Sequence, residues 1–181
     1  MADRNAARTR ERILEIAGEL FRARGYAGTS IADIAGRLGT SKSALYYHFA
    51  SKEEILDALL AGVLAAHARV AELAGSAEHG PAEVLGAVVD MVAGSGAVLA
   101  TFGADPSVAA ALAGRDHVHG LRAKDEQVVA RLAGGDPGAL AAVAALAVAK
   151  DGGRALMAER GALSAADRAD LLAAALRALD G

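Results

Sequence analysis

The sequence predicts an all-α fold in two parts: a small N-terminal three-helix head and a larger C-terminal helical bundle. Three observations carry this. Apolar residues recur at three- and four-residue spacing in several segments, the period of a helix buried on one face. Those segments tend to open on Ser or Asp caps and close on glycine. The two parts also differ in composition. Residues 1–52 hold nine Arg/Lys against five Asp/Glu, and the remainder holds ten against seventeen. Phe21, Tyr26, Tyr46, Tyr47 and Phe49 all lie in the first part, leaving Phe102 as the one aromatic of the second. The expected division is therefore 1–52 and 53–181.

The first helix is expected over about Arg8 to Arg24. Ile13, Ile16, Ala17, Leu20 and Phe21 form its inward stripe and Gly25 ends it. Arg4, Arg8, Arg10 and Arg12 precede or open it, either as an arm reaching a nucleic-acid backbone or groove or as a solvated charge run. Ile31, Ile34, Ala35 and Leu38 fall at i, i+3, i+4 and i+7 and make a second, short helix. Ser30-x-x-Asp33 is its capping box, and Gly39 suits the left-handed position that stops it. Ser41 can cap a third helix after a turn of about three residues, the length used by a helix-turn-helix. In that helix Leu45 and Phe49 face inward and Ser43 and Tyr47 point the opposite way. Lys42 and Tyr46 flank the exposed face on one side and Ala44 on the other.

Two tyrosines and a lysine on an exposed face are poor surface chemistry and good groove chemistry. Lys42 can donate to a guanine edge or a phosphate, and Ser43 can pair with several base edges. Tyrosine rings and the Ala44 methyl can touch thymine methyls, and the tyrosine hydroxyls can reach phosphates. Ser51-x-x-Glu54 caps the next helix, whose first amides, with Lys52, can grip a phosphate.

From about Arg8 to Leu60 the string RERILEIAGELFRARGYAGTSIADIAGRLGTSKSALYYHFASKEEILDALL resembles the TetR (tetracycline-repressor) family of bacterial transcription regulators. The resemblance implies a DNA-binding head, an all-helical regulatory body that binds a small effector, and a homodimer on a palindromic operator, usually repressing. Position by position it assigns DNA contact to Ser30, Lys42, Ser43, Ala44, Tyr46, Tyr47, His48 and Lys52. Thr40 and Ser41, in the turn, complete the candidate surface. Thr40 stands where the family commonly has an aliphatic residue, and Ser43 and Ala44 replace a frequent glycine and threonine. These departures leave the operator sequence open. The body matches only as a succession of helices, so no ligand residues transfer.

A long helix from Lys52 to about Leu73 is expected to link the two parts. The next should begin at Pro81, a good first-turn residue, and run towards Phe102, weakened by Gly94 and Gly96. Asp105-Pro106 reads as a cap and first-turn pair for a short helix. Another is expected over His117 to Leu132, and Asp136-Pro137 restarts the chain. The last two helices, about Gly138 to Glu159 and Ala165 to Leu179, form a hairpin, with Ser164-x-x-Asp167 capping the second. ALAAVAALAVA is apolar nearly all round and needs cover on more than one side. In a TetR-like plan these two helices pair with their mates in a second subunit.

The absence of cysteine excludes disulfides, thiolate metal sites and cysteine nucleophiles. His67, His79, His117 and His119 lack metal-ligand spacing, so no metal and no cofactor is expected. No nucleophile elbow, P-loop or dinucleotide fingerprint occurs, which argues against a helical enzyme. An acidic body without a basic amphipathic helix argues against a lipid-binding bundle. An activator, or a regulator answering to a protein partner, remains the alternative within the regulator class. The polar, charged N-terminus does not read as a signal peptide, and the longest apolar run, Ala139 to Ala149, is short of the ~20 residues of a span. A cytoplasmic location, with no membrane partner, is expected. His67, Met91, Ser95, Phe102 and His117 are the candidate pocket residues. With one aromatic available, the effector should be aliphatic or compact and polar rather than a flat polyaromatic cation.

Overall fold

The computed structural model describes residues 2–96, 98, 102, 105–135 and 139–180. Among them there are helices and turns and no strand. The chain divides into two compact units, Met1–Ala61 with Thr101–Gly114, and Gly62–Ala100 with Arg115–Gly181. The head is thus larger than the expected 1–52. It takes in the helix after Lys52, because that helix buries Ile55 and Leu56, and it recruits a segment about forty residues further along.

The head is built from α1 (Ala2–Arg24), α2 (Ile31–Leu38), α3 (Lys42–His48), α4 (Lys52–Leu59) and α7 (Pro106–Gly114). Helix α1 starts at Ala2 rather than Arg8, since Ala2, Arg4, Ala6 and Ala7 are good helix formers that extend it upstream. Arg8, Arg10 and Arg12 are therefore exposed side chains of a helix, not a free arm, and Arg10 lies over the Phe49 ring at 4.5 Å. The side chain of Arg4 lies outside the described residues. Ile13, Ala17, Phe21, Tyr26, Ile34, Leu45, Phe49 and Ile55 form the head's buried interior.

The body comprises α5 (Ala61–Gly75), α6 (Pro81–Gly94), α8 (Asp116–His119), α9 (Leu121–Leu132), α10 (Leu140–Ala147), a π-helical turn (Val148–Gly152), α11 (Gly153–Arg160) and α12 (Ala165–Asp180). Several expected helices are shorter or divided. The link from Lys52 stops at Leu60, whose ψ of 0° departs from helix, and restarts at Ala61. Helix α6 ends at Gly94, where Ser95 bonds back three residues to Val92, not four; beyond this break the described residues Gly96, Val98 and Phe102 are again helical. The expected His117–Leu132 helix breaks at Gly120, which takes the left-handed conformation (φ 59°) and leaves His117 on the short α8. The expected restart at Asp136-Pro137 lies outside the described residues.

The body core is aliphatic and small. Val84, Leu85, Val88, Val89 and Val92 of α6 pack with Val128, Leu132, Ala142, Ala145, Ala149, Leu171 and Ala175. Close approach is specific at Gly153, where a Cβ would stand 2.9 Å from Val92 Cγ1. Ser164 and Asp167 form the expected cap of α12, with Asp167 N–H donating to Ser164 Oγ (3.1 Å) and Ser164 N–H to Asp167 Oδ2 (2.9 Å). No single helix among the described residues is long and apolar enough to cross a membrane.

Candidate nucleic-acid interface and body cavity

The α2–α3 turn is built as its residues require. Ser30 Oγ accepts the Asp33 amide at 3.2 Å and the Asp33 carboxylate accepts the Ser30 amide at 2.9 Å. The Ser30 hydroxyl and amide hold the Asp33 carboxyl below its ordinary range. Gly39 sits at φ 74°, and the Thr40 amide reaches back to the Ala35 carbonyl at 3.0 Å. Ser41 Oγ accepts the Ala44 amide at 3.1 Å and starts α3. Leu45 and Phe49 turn inward, while Lys42, Ser43, Ala44, Tyr46 and Tyr47 face outward. Tyr47 is 84% exposed and Tyr46 50%, so both rings present surface to solvent. His48, half-buried at the end of α3, meets the Tyr47 ring edge-on at 5.3 Å. The expected α3 surface is brought together, with Ser30 exposed and Thr40 half-buried beside it.

Lys52 is placed differently from expectation. Its Nζ donates to the carbonyls of Tyr26 (2.9 Å) and Thr29 (3.0 Å) and lies 4.1 Å from the Tyr26 ring centroid. Two of its three donors are spent inside the head. Tyr26 Oη in turn donates to Glu53 Oε1 at 3.2 Å. The lysine therefore fixes the α1–α2 loop against the start of α4.

The same loop is held from the other side by residues the sequence does not flag for it. Asp105 Oδ2 accepts the Tyr26 amide at 2.9 Å, and Ser107 Oγ accepts the Ala27 amide at 3.1 Å. Asp105 also caps α7 by accepting the Ser107 amide (2.8 Å) and hydroxyl (2.6 Å). The Ser107 hydroxyl and Tyr26 amide keep the Asp105 carboxyl below its usual value. Phe102, expected in a pocket wall, packs edge-on to Phe21 in the head, with centroids 6.3 Å apart. Asp105-Pro106 is legible as a cap; its second partner, about eighty residues upstream, has no local signature.

In the body a cavity of about 520 Å³ opens between α5 and α6. Met91 and Ser95 line it as expected, beside Val63, Val70, Leu73 and Ala87, with Arg69 and Asp90 as its charged residues. His67 and His117 do not line it. His117 is exposed on α8. His67 is buried, and its Nε2 pairs with Asp125 Oδ1 at 2.8 Å. Lys150, carried on the π-helical turn, donates to both Asp125 oxygens at 2.9 and 2.8 Å. Burial pushes the Asp125 carboxyl up, but His67 and Lys150 overcome it and bring it down to about 2. Three residues from α5, α9 and the π turn thus form one polar cluster inside an aliphatic body. Among the described residues no group of His, Cys, Asp or Glu could hold a metal ion.

Residues 13–59 match the family described as bacterial regulatory proteins, tetR family. The HTH-type transcriptional repressor KstR2 of Mycobacterium tuberculosis is 47% identical over 55 residues, 30% of this chain. That stretch spans only 28% of the repressor's own length. The solved structure of the ketosteroid transcriptional regulator KstR2 from the same organism shares the fold across 96% of this chain and 94% of its own, with a TM-score of 0.62 at 23% identity. The TetR family transcriptional regulator PfmR of Thermus thermophilus is 30% identical over 93% of this chain and 97% of its own, with a TM-score of 0.51. With matching residues through the head and a likeness that runs nearly the full length of PfmR, the chain belongs to the TetR family of bacterial regulatory proteins.

Proposed function

We propose that this protein is a sequence-specific DNA-binding transcriptional repressor, active as a homodimer and released from a palindromic operator by a small effector. The observation that carries this reading is the solvent-facing row on α3, with Lys42, Ser43 and Tyr47 displayed outward by a capped, glycine-terminated turn. An α-helix of this kind fits the major groove, where side chains read base edges. In this reading Lys42, Ser43, Ala44, Tyr46 and Tyr47 meet bases. Ser30, Thr40, Ser41 and His48 meet the sugar–phosphate backbone. Lys52 supports them from within and keeps one donor for a phosphate.

Two heads must reach successive grooves about 34 Å apart or a multiple of that. A second copy is called for by Leu140 and Val143, one turn apart on α10 and 78% and 50% exposed. The α5–α6 cavity is the effector site in this reading. An effector shifts the DNA-bound population only by the difference in its affinity for the two states. The test is selection of bound duplexes from a random pool with the full-length protein, followed by sizing of the complex. Enrichment of a two-fold symmetric site, bound by two chains, is the expected result. Recovery of unselected DNA, or binding as a single chain, overturns the reading.

A further inference from the structure

We propose that the α5–α6 cavity is a site for a monocarboxylate with an aliphatic or alicyclic body, and that Arg69 is the partner of its carboxylate. The proposal deepens the reading of this cavity as the effector site and names its ligand class.

The cavity volume, about 520 Å³, lies in the range of about 300–1,000 Å³ that takes a drug-sized ligand. Its walls are aliphatic: Val63, Ala66, Val70, Leu73, Ala87 and Met91. Among the described residues no aromatic ring lines it, so they offer neither a stacking surface nor a cage for a cation. Among the described residues two charged side chains reach it, and they are not equivalent. Asp90 is engaged by Arg168 at 3.1 Å, which offsets its charge. Arg69 has no hydrogen-bond or ion-pair partner among the described residues. The one uncommitted charge at this cavity, among those residues, is therefore a guanidinium, whose planar donor fork matches a carboxylate in two parallel hydrogen bonds.

The remaining polar group separates the two ends of the ligand. Ser95 is buried and donates its hydroxyl proton to the Met91 carbonyl at 2.6 Å. What it turns to the cavity is lone pairs, which accept from a hydroxyl or amide and repel an anion. A carboxylate is thereby directed to Arg69, and an alcohol on the ligand body is directed to Ser95. Gly62 and Gly94 leave the lining open, since no atom lies within 4 Å of where a Cβ would stand at either position.

The experiment compares three probes of one chain length, decanoate, decan-1-ol and decylammonium, by titration calorimetry on the full-length protein without DNA. Decanoate should bind about tenfold more tightly than decan-1-ol, a factor equal to about 1.4 kcal/mol, and decylammonium should bind most weakly. Arg69→Gln should erase the advantage of decanoate and leave decan-1-ol binding unchanged. Gly94→Leu, which fills the opening, should weaken all three. Equal affinity for the three head groups, a decanoate advantage that survives Arg69→Gln, or no binding of any probe would each overturn the proposal. Because no DNA is present, these outcomes are independent of operator recognition. Decanoate bound tightly without loss of operator binding would sink the effector reading alone and leave the carboxylate site standing.

Discussion

The head and the body meet the same burial requirement with different materials. The head interlocks large side chains: Phe21, Tyr26, Ile34, Leu45, Phe49 and Ile55 are all at most 5% exposed. Three of its short helices, α2, α3 and α4, open on a serine whose hydroxyl accepts an amide three residues on, at Ser30, Ser41 and Ser51. The body is packed with alanine, valine and leucine; Ala142, Ala145, Ala149 and Ala175 are fully buried. Large side chains fix geometry by shape, and small ones fix it by letting backbones approach. The difference teaches where each unit is vulnerable. The head should depend on individual core residues. The body should depend on the polar cluster that breaks its uniformity.

The largest expected effect tests the first half of that contrast. Leu45 is fully buried where α3 meets the rest of the head. Leu45→Ala should cost about 3 kcal/mol, as removal of a packed leucine from a core does, read by urea unfolding of the full chain. A cost under about 1 kcal/mol would mean that the head collapses around the gap and is no more interlocked than the body.

Next in size is Asp125, the centre of the body's polar cluster. Asp125→Asn should cost about 2 kcal/mol. The figure sits between that of a buried pair and that of a surface pair because the Asp125 side chain is 38% exposed and its attraction is screened. The sign of the pH dependence follows from a folded-state value of about 2 against an ordinary 3.8. The carboxylate's contribution is present in full above the unfolded value and is lost as pH falls from about 4 towards about 2. Stability of the wild type should therefore fall more steeply with acid over that window than stability of Asp125→Asn. Parallel curves would show that the cluster adds nothing specific.

Lys52→Met removes an ammonium that holds two carbonyls while keeping the aliphatic stem. Stability should drop by about 1–2 kcal/mol, the value of hydrogen bonds from a charged donor reduced by partial exposure. The DNA titration divides the two roles of this lysine. Weaker binding with an unchanged salt slope marks a support inside the head; a slope lower by about one marks a phosphate contact. Smaller again is Gly39→Ala, which forces a Cβ into the left-handed conformation at φ 74° for about 1 kcal/mol, with no steric clash to add to it. A neutral result would mean that the turn relaxes into another form.

Most of the head is legible in the sequence because its determinants are local. A serine, an acid three residues on, an apolar stripe and a glycine define α2 without reference to anything distant. The same holds for the caps of α3, α4 and α12. What is not legible depends on partners far along the chain. Asp105 as a clamp on the Tyr26 amide, Phe102 against Phe21, and Lys52 turned inward all need the tertiary fold to bring them together. In the body, a near-uniform run of alanine and valine predicts helix but not where a helix is interrupted. Gly120 ends α8, and the π turn places Lys150 beside Asp125. Of the five residues expected at a pocket, Met91 and Ser95 line one. His67 instead has its ring nitrogen engaged by Asp125.

The smallest stability effect belongs to the residue with the largest proposed functional one. Tyr47 is 84% exposed, so Tyr47→Ala should change the unfolding free energy by no more than about 0.5 kcal/mol. A tyrosine kept in water at this level does nothing for the head's own interior. If the α3 face reads bases, its loss should weaken binding to the selected operator more than to random duplex, because a base contact carries discrimination that a phosphate contact does not. The expected narrowing of the gap between the two duplexes is about 1 kcal/mol or more, measured at one fixed salt concentration. Equal losses on both would demote Tyr47 to a backbone contact. An unchanged affinity for both would remove the central residue from the proposed surface. The comparison between a head tuned outward and a body tuned inward would then lose its clearest support.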